Sequence, residues 1–197
     1  MNVAISHHAE VTRSAGNAVA PVKAKAVPPN GCPDRVLPLF GMIDATAAQN
    51  LNASLLSLAG DGKDPIMLHV SSLGGCVASG LAVIDTMRHI EAPVFTVGSG
   101  VVASMAAVIL ACGERGYRYM LPHARLMLHP TAGQASGRVS EIEAISRFQR
   151  QMTQELEHLL LEATQMRRER LRKVIQAEAY LSARETLQLN LIDHILL

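Results

Sequence analysis

The run from Gly98 to Gly113, Gly-Ser-Gly-Val-Val-Ala-Ser-Met-Ala-Ala-Val-Ile-Leu-Ala-Cys-Gly, carries no charge and little bulk, so it belongs inside a protein. It follows a short apolar stretch, Pro93 to Val97, and reads as a strand, a glycine turn and a buried helix. Ser104 falls at the joint between turn and helix. A hydroxyl there lies close to unpaired helix N–H groups and to the positive end of the helix dipole, which stabilise negative charge. The position suits a nucleophile, and it equally suits a serine that caps the helix. Partners elsewhere in the chain decide between the two.

A chain of 197 residues is long enough for one domain with one core. Apolar residues make up 49% but aromatics only 3%, with no Trp, so Ala, Val, Leu, Ile and Met must build the interior. Net charge is +1, which gives no electrostatic basis for binding nucleic acid or an anionic membrane. The one basic cluster, Arg167, Arg168, Arg170, Arg172 and Lys173, is interrupted by Glu169 and reads as a solvated helix face. Cys32, Cys76 and Cys112 form no Cys-x-x-Cys pair, which points to neither a disulfide framework nor a zinc site. No apolar run reaches the roughly 20 residues of a membrane helix, and no signal-peptide core opens the chain; a soluble cytoplasmic protein is expected.

Residues 1 to 33, broken by Pro28-Pro29-Asn30-Gly31, read as a flexible or processed tail ahead of a single domain over 34–197. Strand Val36 to Phe40 leads to a helix starting near Asp44 or Thr46 and ending at Gly60-Asp61-Gly62. Strand Ile66 to Val70 runs into Ser71-Ser72-Leu73-Gly74-Gly75 and a helix with Val77, Leu81, Ile84, Met87 and Ile90 on one face. This alternation argues for a parallel α/β architecture. Tyr117 to Leu121 and Ala124 to His129 follow as strands. Ser140-Glu141-Ile142-Glu143 fits a capping box for a long helix reaching about Ala163. A shorter helix places Leu171, Val174 and Glu178 on one face, which would turn Glu178 inward. A last helix, capped by Ser182-Ala183-Arg184-Glu185, precedes a strand from Leu191 to Leu196.

Ser104, His129 and Glu178 therefore stand on three separate elements. Nucleophilic catalysis uses such a set: a hydroxyl, an imidazole that takes its proton, and a carboxylate that holds the imidazole's tautomer. A histidine closing a buried strand also serves as an ordinary core residue. The other histidines, at 7, 8, 69, 89, 123, 158 and 194, show no metal-ligand spacing, and no cofactor is expected.

Ala103-Ser104-Met105, Leu121-Pro122-His123-Ala124-Arg125, Met127-Leu128-His129 and Leu181-Ser182-Ala183, with Asp85-Thr86-Met87 and Ser72-Leu73-Gly74-Gly75, resemble the signature segments of the Clp protease proteolytic subunits, peptidase family S14. The similarity runs from about Asp34 to Leu196. It implies a crotonase-like α/β spiral of βαβ units with a protruding strand-helix handle at about 130–163. It also implies two stacked seven-membered rings, formed with itself or a paralogue, that enclose a chamber where unfolded polypeptides are cut to short peptides. A hexameric AAA+ ATPase feeds the chamber and alone uses ATP. Carried over by position, the nucleophile is Ser104, the general base His129, and the oxyanion-hole amides those of Gly75 and Met105.

The chain departs from that pattern in several places. Ala177-Glu178 stands where the family has an Arg-Asp pair, giving Glu178 as the third triad member with one methylene too many. Leu73 replaces Pro, Pro130 replaces Gln, Gln134 replaces a handle glycine, and Gln176-Ala177 replace the pair that couples the rings. At the ATPase-docking positions Met67, His69 and His89 stand among Tyr119, Leu121 and Leu196; imidazoles in place of apolar surface are expected to weaken docking. Two alternatives follow: a non-catalytic or weakly active subunit that co-assembles with an active paralogue and tunes it, and an acyl-CoA enzyme of the related crotonase fold.

Overall fold

The computed structural model describes residues 33–196; the expected N-terminal tail lies outside them except for Pro33. After a single 3₁₀ turn the order is β1 (Val36–Ile43), α1 (Ala45–Gly60), β2 (Ile66–Gly75), α2 (Val77–His89), β3 (Val94–Ala103) and α3 (Met105–Ala111). Then come β4 (Arg118–Met120), β5 (Arg125–Met127), α4 (Val139–Thr164), α5 (Arg168–Ala177), β6 (Leu181–Ser182), α6 (Ala183–Gln188) and β7 (His194–Ile195). The sheet runs β1-β2-β3-β4-β7, all parallel, with β5 joined parallel to β3 and β6 antiparallel to β5. This is the mixed α/β, mainly parallel architecture that the alternating pattern implies.

Two strands outrun their expected ends. β2 continues through Ser71 to Gly75, and β3 continues through Gly98-Ser99-Gly100, where the sequence reads as a turn. The glycines make a bulge instead. Val70 lies opposite Gly98 and Ser72 opposite Val102, so β3 spends four residues where β2 spends two, with Gly100 at φ +57°. The bulge lets β3 serve two neighbours in turn. Thr96 to Gly98 pair with β4, and Val101 to Ala103 pair with β5.

Every residue of α3 is buried, which explains its small, uncharged sequence. It packs in the core with Leu68 and Val70 of β2 and Val83 and Ile84 of α2. Asp44 caps α1 by accepting the Ala47 amide at 2.8 Å, and the Ser182–Glu185 capping box forms as its sequence indicates. For α4 the helix begins at Val139, one residue ahead of Ser140, and the Glu141 carboxylate accepts the Arg138 amide at 3.0 Å. The expected strand Ala124 to His129 shortens to Arg125–Met127, and residues 130–136, at the start of the expected handle, have no regular structure. The terminal strand shortens to His194–Ile195 because Leu191 and Ile192 are drawn into the core.

At 26 residues α4 spans about 39 Å. Its buried residues, Leu160 and Thr164, both lie near its C-terminus, while Val139, Ile145 and Phe148 on the first half are exposed. The C-terminal end is held by Arg118. This buried guanidinium binds Asp193 through Nε at 2.8 Å and Nη2 at 2.6 Å, and its Nη1 donates to the carbonyls of Ala111 at 3.1 Å and Ala163 at 3.0 Å. One side chain thus joins the last turns of α3 and α4 to the segment before β7.

Candidate active site

The paired ends of β3 and β5 fix the site. Ala103 lies opposite Met127, and the Ser104 amide donates to the Met127 carbonyl at 2.8 Å. One residue beyond Ala103 and two beyond Met127 the side chains converge: Ser104 Oγ and His129 Nε2 are 2.8 Å apart. The pair stands at the C-terminal ends of parallel strands, where open α/β sheets leave room for ligands.

Ser104 turns the chain from β3 into α3 within one residue, at φ +56° and ψ −126°. For a residue with a β-carbon such a conformation costs on the order of 1–3 kcal/mol and persists only where its surroundings impose it. Its hydroxyl makes no capping bond to the amides of α3. The capping role open to Ser104 on sequence alone is therefore not the one it plays; the hydroxyl is spent on His129. With His129 protonated on Nδ1, Ser104 donates to Nε2, the arrangement from which an imidazole removes a hydroxyl proton.

Against this turn lies the end of β2. Gly74 has φ +97°, and a β-carbon there would come within 2.7 Å of Ser104 Cβ and 3.0 Å of the Met105 nitrogen. Gly74, a residue given no role from sequence, is thus what allows the strand end to lie on the nucleophile turn. Gly75 has φ +154°, and a β-carbon there would overlap the Ile43 carbonyl. The Met105 amide, the first of α3, has no hydrogen-bond partner among the described residues and faces this junction. Gly75→Ala should displace the strand end and lower peptide hydrolysis by about 10²–10³-fold, the usual loss of an oxyanion donor. Stopped assays on the folded fraction check this; an active Gly75→Ala protein would remove Gly75 from the site.

Glu178 is placed otherwise than its spacing indicates. Leu171 is buried and Val174 half-buried, but α5 ends at Ala177, and Glu178 follows in the left-handed region at φ +48°. Helical periodicity stops with the helix, so Glu178 turns out to solvent and is exposed. Among the described residues no carboxylate hydrogen-bonds His129, and Glu178 makes no side-chain hydrogen bond. Glu178→Gly should raise stability by about 0.5–1 kcal/mol, since glycine adopts this conformation freely, and should change hydrolysis less than threefold. A fall of several orders of magnitude would return Glu178 to the role of orienting carboxylate.

A cavity of about 560 Å³ opens beside Ser104 and His129, walled by Leu73, Val77 and Leu128 on the sheet side and by Leu156, Leu160 and Ile175 from α4 and α5. Glu157 and Arg172 also line it. Arg172, read from sequence as part of a solvated face, donates to the Glu157 carboxylate through Nε at 3.1 Å and Nη2 at 3.3 Å. Only the packing of α5 on α4 brings these residues to the site, and no local motif announces it. Next to Gly75, Cys76 is exposed, and the Ser79 hydroxyl together with the Ser79 and Ala78 amides holds its thiol below the usual cysteine range.

A strained strand-to-helix serine bonded to an imidazole, beside a glycine-lined strand end and an apolar cavity, is an arrangement for acyl transfer. The family model described as Clp protease matches residues 32–197. The chain belongs to the Clp protease family. Serine-based peptide hydrolysis is thereby its general chemistry, and the mixed α/β sheet is the fold of that family. Among the described residues no group of three or more His, Cys, Asp and Glu is arranged to hold a metal ion, and no helix is long and apolar enough to cross a membrane.

The expected docking positions of this Clp protease chain fall mainly on the outward side of the sheet. Met67 and His69 alternate with the buried Ile66, Leu68 and Val70. His69 is bonded through Nε2 to Ser99 Oγ at 2.8 Å and meets the exposed Phe40 ring edge-on at 5.3 Å. Tyr119 is buried and stacks on His194 at 5.5 Å, while Leu121 is exposed. His89 ends α2 and is exposed.

Proposed function

We propose that this chain is a proteolytic subunit of an ATP-dependent Clp protease, a serine endopeptidase that cuts unfolded polypeptide to short peptides with Ser104 as nucleophile and His129 as general base. The observation that carries this reading is the 2.8 Å bond between Ser104 Oγ and His129 Nε2 at the mouth of the cavity. Ser104 Oγ attacks the scissile carbonyl carbon while its proton passes to Nε2. The carbonyl oxygen gains negative charge beside the Gly75 and Met105 amides. Collapse expels the amine, which takes the proton from His129, and leaves an ester on Ser104. Water, deprotonated by His129, then releases the new carboxylate.

Assembly in stacked heptameric rings, with itself or a paralogue, is supported by the apolar side chains that the first half of α4 leaves in solvent. Enclosure in a chamber would keep such a site from folded proteins. An AAA+ ATPase is the partner proposed for the outward side of the sheet. There His69 already has its polar partner in Ser99, which reduces the penalty of covering it but leaves less apolar area than an aromatic ring would give.

One observation favours a second reading. His129 lacks a carboxylate partner among the described residues, so the isolated chain has a Ser–His dyad and a less firmly held imidazole. A subunit of low intrinsic activity, raised by an active paralogue in a mixed ring, has that character. Both readings are tested by comparing peptidase turnover of the chain alone, the chain with the host's paralogue, and each with the host's Clp ATPases. Turnover lost with Ser104→Ala supports the endopeptidase. Rings that never turn over in any mixture, yet alter the paralogue's rate, support the tuning subunit.

A further inference from the structure

We infer that Ser72, a buried serine outside the Ser104–His129 pair, is a positioning residue: its hydroxyl holds the Gly74-Gly75 strand end so that the Gly75 amide stands ready for the oxyanion. This rests on the reading of Ser104 as nucleophile and of Gly75 as an oxyanion donor. Two adjacent glycines restrain a backbone less than any other dipeptide, because neither has a β-carbon. Stabilisation of a developing oxyanion needs the opposite, donors already held in place before the charge appears. A group other than the glycines must therefore supply the restraint.

β1 and β2 fall out of step at this point. Phe40 lies opposite Ser71 and Met42 opposite Gly74, so β2 spends three steps where β1 spends two. Gly41, inside the irregularity, has φ +78°. Ser72 is 4% exposed and spans the gap with hydrogen bonds in both directions. Its hydroxyl donates to the Gly41 carbonyl at 2.5 Å, and its oxygen accepts the Gly74 amide at 3.0 Å. A hydroxyl has one proton and two lone pairs, so it can make both bonds at once.

On the other side of Gly75, the Cys76 amide donates to the Ile43 carbonyl at 2.7 Å. The Gly75 amide is thus bracketed by two anchored neighbours. In a parallel ladder a residue bonds to those flanking its partner, so Ile43, opposite Gly75, takes the Cys76 amide and leaves that of Gly75 for the side of β3 and the Ser104 turn. The Ile43 anchor is a main-chain bond that survives any side chain at 76. The Gly74 anchor depends on the hydroxyl of Ser72.

The test measures binding, so it needs no turnover. A dileucine boronic acid with a fluorescent cap is compared, on the assembled protein, with the same capped dipeptide as its carboxamide. Boron takes up Ser104 Oγ as the serine proton passes to His129, which gives a tetrahedral anion that draws on the oxyanion donors. The carboxamide forms no such anion and reports ground-state binding. Ser72→Ala should weaken the boronate by about 10²-fold, the loss expected when an oxyanion donor is out of place, and the carboxamide by less than about threefold. Ser72→Cys keeps nearly the same size but is a weak donor and acceptor; it should weaken the boronate alone by about tenfold, and it carries the test if Ser72→Ala does not fold.

Boronate affinity that stays within about threefold of the wild type in the folded variants would overturn the positioning role of Ser72 while leaving Ser104 as nucleophile. So would boronate and carboxamide affinities that fall together, the mark of a merely structural residue. A wild-type protein that binds the boronate no more tightly than Ser104→Ala does would overturn the serine reading, and the role of Ser72 with it.

Discussion

Ser104→Ala abolishes peptide hydrolysis, by about 10³-fold or more, while leaving the fold and any ring assembly in place. The hydroxyl contributes the attacking atom and little packing, and members of one nucleophile–base unit lose activity together. His129→Ala should therefore fall to a similar level, and the double variant should be no worse than either single one. Ser104→Gly adds a stability readout. Glycine adopts φ +56° without a β-carbon clash, so this variant should unfold later than the wild type by the equivalent of about 1 kcal/mol while remaining inactive. Turnover that survives Ser104→Ala would remove Ser104 from the chemistry.

Arg118→Met should lower stability by about 3–5 kcal/mol, the usual loss when one partner of a buried ion pair is removed. The change strands the Asp193 carboxylate and also leaves the Ala111 and Ala163 carbonyls without their donor. Asp193→Asn in the same background should recover part of the loss, because the pair is coupled. The pair also sets an acid limit. Burial raises the Asp193 carboxyl pKa, but hydrogen bonds and charge from Arg118, with the Arg118 and Gly116 amides, outweigh it and hold the pKa below the ordinary aspartate value. A carboxyl held low adds stability above its unfolded pKa, about 3.9, and that increment disappears as pH falls through the folded value. Thermal unfolding at fixed protomer concentration from pH 7 to pH 3 should show the wild type losing stability below about pH 4 and Asp193→Asn losing less. Parallel curves would show that the pair does not set the acid limb.

Ser104 and His129 are legible in the sequence because each stands just past the end of an apolar strand. Ser104 follows Val101-Val102-Ala103, and His129 follows Leu126-Met127-Leu128, so pairing of β3 with β5 brings them together. Glu178 was misplaced because a spacing of three and four was extended past the residue where α5 stops. Gly98 and Gly100 read as a turn in the sequence because a glycine-rich bulge and a glycine turn have the same composition; only the partner strands show which forms. The Arg118–Asp193 pair and the Glu157–Arg172 wall join residues far apart in the chain with no local signal, so the sequence offered no means of pairing them. β6 is two residues long and exists only because β5 offers it an edge.

Covalent labelling tests most directly that Ser104, activated by His129, is the nucleophile. The assembled protein is treated with a fluorophosphonate, its intact mass is measured, and the modified peptide is mapped. One adduct per chain is expected, on Ser104, formed at a rate that falls by about 10³-fold with His129→Ala and changes less than threefold with Glu178→Ala. An adduct on another residue, or no adduct while a paralogue of known activity is labelled alongside, would contradict it.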